Sequence, residues 1–117
     1  MEVINIDEIE GSWIGDKTNN TYRRLKLVYT SKNMKVHVGI FPPLQASSEH
    51  SHPNSEEICY IIKGEGEVKC SDKVRKFKTN YIVFIPPNEM HQYKNTSEKE
   101  EMILIAFYSP PTELPKK

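Results

Sequence analysis

The chain of 117 residues lies within the usual size range of a single domain and leaves no room for a second hydrophobic core. Its 16 basic and 16 acidic residues give a formal net charge of zero, and no segment concentrates Lys and Arg with aromatic residues, which excludes nucleic acid as a partner. The first residues lack the basic and apolar regions of a secretory signal, and no apolar run approaches the ~18 residues of a membrane span. We therefore expect a cytoplasmic protein with no membrane partner.

Short strands separated by turn residues are predicted along most of the chain. We expect residues 1–20 to form an irregular leader, residues 21–110 to form the folded domain, and residues 111–117 to form a tail. Strands are predicted within the domain at residues 22–30, 34–41, 57–63, 66–70, 73–77, 81–85, 91–95 and 101–108. Their regular spacing, with prolines where loops are expected, favours an all-β sandwich or barrel.

Two of the predicted strands, residues 57–63 and 101–108, are apolar on both faces. A sandwich sheet buries only its inner face against the core, so an apolar outer face needs a cover of its own. Either the leader or a second subunit would provide that cover.

The two cysteines lie on neighbouring predicted strands. If the chain turns at Gly64 and Glu65 as a two-residue hairpin, the pairing places Cys59 directly opposite Cys70. In the cytoplasm such a pair is expected to stay reduced, and a redox switch is the alternative.

Three of the four histidines fall into one pattern with a glutamate: His50, His52, Glu57 and His91. If the segment around Ser51 is extended, His50 and His52 project to the same side, because side chains alternate along a strand. Glu57 lies at the mouth of the predicted strand 57–63, and His91 begins a strand after a proline-rich turn. Three imidazoles and one carboxylate then converge, which predicts a site for one divalent metal ion.

These residues resemble the two sequence motifs of the cupin family. The first motif, G-x5-H-x-H-x4-E-x6-G, is matched by His50, His52, Glu57 and Gly64. The second, G-x5-P-x-G-x2-H-x3-N, is matched by Pro86, His91 and Asn95. The resemblance implies that the three histidines and the glutamate bind the metal. Together with the strand pattern, it points to a cupin-type jelly-roll β-barrel, in which two packed antiparallel sheets surround a cavity.

Asn80 and Asn88 stand where the second motif has glycines. Asparagine tolerates the left-handed backbone conformation better than other non-glycine residues, so we expect both turns to survive. Many cupins are dimers through a sheet face, and the resemblance therefore favours a homodimer.

Three further side chains are candidates for the cavity around the metal. Alternation from Glu57 and from His91 places Cys59 and Tyr93 on the metal side. Arg23 is two residues from Leu25, so both side chains point to the same face of the predicted strand. At the cavity mouth, Arg23 would offer a bidentate donor to a carboxylate or phosphate. The alternatives are a small buried hydrophobe for Cys59, a core aromatic for Tyr93 and a surface residue for Arg23. His37 belongs to no motif and is interpreted as a surface or core histidine.

The ligand set of nitrogen and oxygen donors suits iron, manganese, nickel, cobalt or zinc and does not choose among them. Such a site leaves coordination positions for water or substrate. The resemblance then implies a small metal-dependent enzyme acting on a compact polar small molecule, similar to sugar-phosphate isomerases, dioxygenases or decarboxylases. The alternative is a non-catalytic cupin module that binds or senses a small molecule. A closed structural zinc site is disfavoured, because neither cysteine has ligand spacing.

Overall fold

A computed structural model describes residues 1–114, which form nine strands and one short 3-10 helix at Ile6–Glu8. The strands are β1 (Ser12–Ile14), β2 (Arg23–Thr30), β3 (Lys35–Phe41), β4 (Glu56–Lys63), β5 (Glu65–Cys70), β6 (Lys73–Lys78), β7 (Ile82–Ile85), β8 (His91–Asn95) and β9 (Met102–Ser109). Residues 115–117 of the predicted tail lie outside the described part of the chain. Within residues 1–114, no helix is long and apolar enough to cross a membrane.

The strands form two antiparallel sheets that face each other. The larger sheet has the order β1-β2-β3-β9-β4-β7, and the smaller one has the order β6-β5-β8. The segment that precedes β4 extends the smaller sheet through isolated bridges to β8. Alternate residues of β4 and β9 point between the sheets, where Ile61, Met102 and Leu104 are buried. The all-β jelly-roll prediction is confirmed, because two antiparallel sheets pack together and the residues at alternate positions of their strands build the core.

All of the predicted strands are present, and each end lies within one residue of its predicted position. Strand β1 was not predicted, and it lies inside the expected irregular leader. It extends the larger sheet by pairing Trp13 with Arg24, and the Trp13 ring stacks on Tyr22 with centroids 4.7 Å apart. A strand of three residues is too short for its alternation to stand out in a sequence.

The predicted hairpin between β4 and β5 is wrong. β4 pairs with β7 and β9, whereas β5 pairs with β6 and β8. Gly64 has a φ of 100°, and a side chain there would meet the backbone of Glu101 and Met102. At this glycine the chain leaves one sheet and enters the other, so Cys59 and Cys70 are not paired neighbours. Both cysteines are free thiols.

The two asparagines that replace motif glycines adopt the expected conformation. Asn80 has a φ of 76° and Asn88 a φ of 67°. Both lie in the left-handed region, where asparagine is the least costly substitute for glycine. The Asn88 backbone N–H also donates to the carbonyl of His52 at 3.1 Å, which ties the turn before β8 to the histidine segment.

The leader covers one end of the outer face of the larger sheet. Lys26 donates its Nζ to the carbonyl of Ile6 at 3.0 Å, and Arg24 donates its Nε to the carbonyl of Glu10 at 2.6 Å. At the opposite end, on β4 and β7, four large apolar side chains are exposed: Ile58, Tyr60, Ile82 and Phe84. The leader therefore accounts for only part of the cover that the apolar outer face needs.

Asn95, the last residue of the second motif, joins the loops at one end of the barrel. Its side chain is fully buried, and its Nδ2 donates to three backbone carbonyls, those of Phe41, Pro42 and Glu100. Its Oδ1 accepts from the N–H of Ser97 at 2.9 Å. One amide side chain thus satisfies backbone groups at the end of β3 and in the loops that follow β3 and β8.

We expect Asn95→Ala to lower the free energy of unfolding by about 2–4 kcal/mol, because buried carbonyl groups lose their donor. Urea unfolding followed by circular dichroism measures the change. The matched control is Asn33→Ala at an exposed position, which we expect to change the free energy by no more than about 0.5 kcal/mol. Equal midpoints for the two variants would contradict the assigned role of Asn95.

Candidate metal centre

The four predicted ligands come together in the structure. One donor atom from each of His50, His52, Glu57 and His91 lies within 4.8 Å of the donors of the other three. The centroids of the imidazole rings are 4.8 Å apart for His50 and His52, 4.4 Å for His50 and His91, and 5.3 Å for His52 and His91. Residues far apart in the sequence therefore form one compact cluster between the sheets.

Backbone pairing explains why His50 and His91 meet. The N–H of His50 donates to the carbonyl of His91 at 3.0 Å, and the N–H of His91 donates to the carbonyl of His50 at 2.8 Å. Directly opposed residues of an antiparallel pair project their side chains to the same face. Glu57 reaches the same point from β4 of the larger sheet, so the cluster joins the two sheets.

Hydrogen bonds to backbone carbonyls fix the orientation of two of the rings. His50 Nδ1 lies 2.7 Å from the carbonyl oxygen of Ser48, and His91 Nδ1 lies 2.9 Å from that of Glu89. A carbonyl oxygen only accepts, so Nδ1 carries the proton in both rings. The Nε2 lone pairs are then available at the centre of the cluster, as in histidines that bind a metal.

Three donor atoms at the centre are buried without a hydrogen-bond partner: His52 Nε2, Glu57 Oε1 and His91 Nε2. The two nitrogens lie 3.2 and 3.3 Å from Glu57 Oε1. Buried polar atoms in proteins are nearly always satisfied, so a convergent group of unsatisfied ones needs an explanation. A divalent cation at their centre would satisfy all three, because nitrogen and carboxylate oxygen are ligands of such ions. The residues fit a metal site.

The electrostatics of the cluster also favour a cation. Burial alone would raise the pKa of Glu57, but His52, His91 and Tyr93 outweigh it and hold the pKa well below its ordinary range. Burial disfavours the charged form of His91, yet the Glu57 carboxylate raises the pKa of that ring. Burial lowers the pKa of His50 to about 4, so His50 is neutral at pH 7. An ionised carboxylate thus stands among imidazoles and attracts positive charge.

Tyr93 holds the second oxygen of the glutamate. Its hydroxyl donates to Glu57 Oε2, and burial raises the pKa of Tyr93 well above its ordinary value. Tyr93 is therefore a neutral donor, and it leaves Oε1 facing the histidines. Tyr108 packs edge-on against His52 with ring centroids 4.8 Å apart. The two tyrosines together fix the orientation of two candidate ligands.

A narrow cavity of about 30 Å³ reaches the candidate ligand His50. Arg23 and Tyr93, both predicted from strand parity as cavity residues, line it. Arg23 is only 4% exposed, and the alternative of a surface arginine is therefore wrong. Cys59 is fully buried in the hydrophobic core and is not part of the cavity wall, which agrees with the alternative of a small buried hydrophobe.

Two further residues of the cavity wall were not predicted as site residues. His37 and Tyr108 line the cavity with their rings stacked at 5.4 Å and an interplanar angle of 8°. Alternation along β3 would not have placed His37 inside the barrel, because Val36, Val38 and Ile40 form the more apolar set of alternate positions. The sequence does not reveal that β3 pairs with β9, and this pairing brings His37 close to Tyr108.

Comparison with known proteins gives one consistent family. A sequence model of the cupin domain matches residues 37–108. Protein SchB of Streptomyces halstedii is 33% identical over 68 residues, which cover 58% of this chain and 49% of that protein. The chain thus spans about half the length of this curated relative.

Solved structures share the fold. A predicted oxalate decarboxylase from Thermotoga maritima matches with a TM-score of 0.82 and 21% identity, covering 94% of this chain and all of the other. The polyketide cyclase RemF from Streptomyces resistomycificus matches with a TM-score of 0.78 and 12% identity, covering 97% of this chain and 82% of the other. At these identities the likeness concerns the fold alone.

We expect His52→Ala and His91→Ala each to weaken metal binding by about 100-fold or more, because each variant removes one of four converging donors. Elemental analysis of protein purified without added metal, followed by zinc titration, measures the loss. His37→Phe is the matched control, since it removes the one histidine outside the cluster and keeps an aromatic ring. Equal metal content in all three variants would contradict the ligand assignment.

Proposed function

The chain belongs to the cupin family, and from this premise we propose that it is a metal-dependent enzyme acting on a compact polar small molecule. The observation that carries the proposal is the set of unsatisfied donor atoms of His52, Glu57 and His91, which lies beside a cavity. His50 belongs to both the cluster and the cavity wall. A molecule in the cavity would therefore lie next to the metal.

The four residues would hold one divalent ion of iron, manganese, nickel, cobalt or zinc. Their nitrogen and oxygen donors do not select among these metals. When bound, such an ion supplies Lewis acidity toward an oxygen of the substrate, or dioxygen chemistry if it is redox-active. Two features of the protein complete the site. Tyr93 orients the Glu57 carboxylate. The apolar wall residues Phe41, Leu104 and Ala106 limit the access of water to the cavity.

Cys59 is proposed as a packing residue of this site rather than a reactive one. It is two residues from Glu57 on β4 and fully buried. Burial raises the pKa of its thiol well above the ordinary value, and the Glu57 carboxylate adds to this effect. A thiol that stays protonated is a poor nucleophile and a small apolar group.

We propose an isomerase-like, decarboxylase-like or dioxygenase-like reaction. Proteins of similar fold include one described as a predicted oxalate decarboxylase and one described as a polyketide cyclase, which supports small organic substrates. A screen of small acids, sugar phosphates and cyclic ketones on as-isolated and zinc-exchanged protein tests the proposal. Turnover in the zinc form favours Lewis-acid chemistry, whereas turnover confined to redox-active metals favours oxygen chemistry. Tight binding without turnover would favour the non-catalytic alternative.

We expect Tyr93→Phe to lower turnover by about tenfold or more, because Glu57 Oε2 loses a buried hydrogen bond and the carboxylate is free to rotate. Metal content should change much less than in His52→Ala. The measurements are steady-state kinetics and elemental analysis of the same preparation. If Tyr93→Phe loses metal as completely as His52→Ala, Tyr93 is needed for loading rather than for turnover.

The chain is further proposed to form a homodimer through the exposed end of the larger sheet. We define this surface, the β4–β7 patch, by Ile58, Tyr60, Ile82 and Phe84. Ile58 pairs with Phe84 and Tyr60 with Ile82, so the four side chains form one contiguous area. Ile82 is 69% exposed and Phe84 is 53% exposed. A second copy placed by a two-fold axis would cover the patch with its own apolar side chains.

We expect Ile82→Glu to weaken dimerisation by about 3 kcal/mol or more, because a two-fold interface contains the substituted residue twice. Size-exclusion chromatography with light scattering at several concentrations measures the mass. Val74→Glu is the matched control, since Val74 is 50% exposed on the other sheet. A wild-type protein that is monomeric throughout, or an Ile82→Glu variant that remains dimeric, would contradict this assembly.

A further inference from the structure

The barrel is open along the flank where β6 and β7 face each other. Strand β6 is an edge of the smaller sheet, and β7 is an edge of the larger one. In the part of the chain that the structure describes, the two strands do not pair, and a groove of about 320 Å³ lies between them. Ligand pockets of proteins commonly have volumes of this order. None of the four candidate metal ligands lines the groove, so it is a separate site.

The floor of this groove is apolar. Its residues belong to the hydrophobic core or pack against it: Val68, Cys70, Phe77, Val83 and Ile85. On β7, the floor residues alternate with Ile82 and Phe84, which form the rim of the groove and belong to the β4–β7 patch. A second copy on the patch would therefore contact the opposite face of the strand. An apolar floor that faces solvent needs a cover of its own.

A cation stands over the apolar floor. Arg75 is two positions from the buried Phe77 on β6, so both side chains leave the strand on the side of the gap. Arg75 is nevertheless exposed and lines the groove, and its guanidinium forms no hydrogen bond or ion pair with residues 1–114. Among the described residues that line the groove, none is acidic. The guanidinium is therefore available for a carboxylate, which it binds through two parallel hydrogen bonds.

An acidic residue near one end of the groove gives the site a direction. Cys70 is two positions from Val68, the residue that pairs with Arg75, which places it about 7 Å further along the strand. Burial and the neighbouring Glu89 carboxylate raise the pKa of the Cys70 thiol. A bound anion is attracted to Arg75 and repelled from Glu89. Its charged group would lie at Arg75, and its apolar part would extend along the floor toward Cys70.

We propose that the groove between β6 and β7 binds a medium-chain fatty acid, with the carboxylate on Arg75 and the alkyl chain on the apolar floor. Cys70 pairs with the candidate metal ligand His91, so the alkyl end of the molecule, rather than its carboxylate, lies nearer the metal centre. The carboxylate takes no part in metal binding. The site is therefore independent of the proposed enzymatic function.

Calorimetric titration of the full chain with octanoate, octanol and butanoate tests the site. Octanol keeps the chain length without the charge, and butanoate keeps the charge on a shorter chain. We expect octanoate to bind at least tenfold more tightly than butanoate, because each buried methylene group strengthens binding several-fold. Octanoate should also bind about fivefold more tightly than octanol, which offers no carboxylate to the guanidinium. Metal-free and zinc-loaded protein should bind octanoate equally.

Variants separate the contribution of the charge from that of the floor. Arg75→Gln should weaken octanoate binding by about fivefold or more and leave octanol binding unchanged. Lys78→Gln is the matched control, because it removes one charge from the opposite face of the same strand, and it should bind octanoate as the wild type does. Val83→Ser makes the floor more polar and should weaken the binding of both octanoate and octanol.

Alkylation of Cys70 by iodoacetamide reports whether the groove is occupied. Cys59 is fully buried and Cys70 is partly exposed, so Cys70 is the thiol that we expect to react. Cys70→Ser should therefore abolish the reaction. Saturating octanoate should slow the alkylation by about fivefold or more, whereas butanoate at the same concentration should have little effect.

Several results would overturn the fatty-acid site. Octanoate binding that requires zinc, that Arg75→Gln leaves unchanged, or that butanoate equals in affinity would refute it. Protection of Cys70 in the absence of octanoate, lost when the protein is diluted, would mean that a second copy covers the groove, and would refute it as well. If the protein takes up no zinc but still binds octanoate through Arg75, the metal centre fails and the fatty-acid site stands.

Discussion

The constraint on which this structure depends is an ionised carboxylate, Glu57, buried among imidazole rings between two sheets. A buried charge is tolerated only where opposite charge and hydrogen bonds compensate it. Tyr93 satisfies one oxygen, and His52 and His91 face the other. The backbone pairing of His50 with His91 and the carbonyl contacts of their Nδ1 atoms prepare the same centre for a cation.

A second layer of residues links this centre to the cavity. Tyr108 lies between His52 and His37, and Arg23 lies in the same cavity wall as His50. The interior of the barrel is thus polar at one end, where the imidazoles cluster, and apolar toward Leu104 and Met102. This division allows a small shell to keep a conventional hydrophobic core and still expose polar groups to a bound molecule.

Much of the fold could be predicted because its signals are local. Short runs between turn residues marked eight strands, and the spacing of His50, His52, Glu57 and His91 predicted a cluster that the structure contains. Pairing between distant strands is not local. The switch of sheets at Gly64 separates Cys59 from Cys70, and a hairpin pattern cannot distinguish such a corner from a simple turn. The place of His37 likewise depends on β3 lying beside β9.

The division of the four candidate ligands between the sheets has a consequence for how the protein matures. His50 and His91 belong to the smaller sheet and Glu57 to the larger one, so the donors converge only after both layers have packed. An extended chain brings these side chains together only at the entropic cost of closing a long loop. An ion bound by all four residues would therefore link the two layers and would retard their separation.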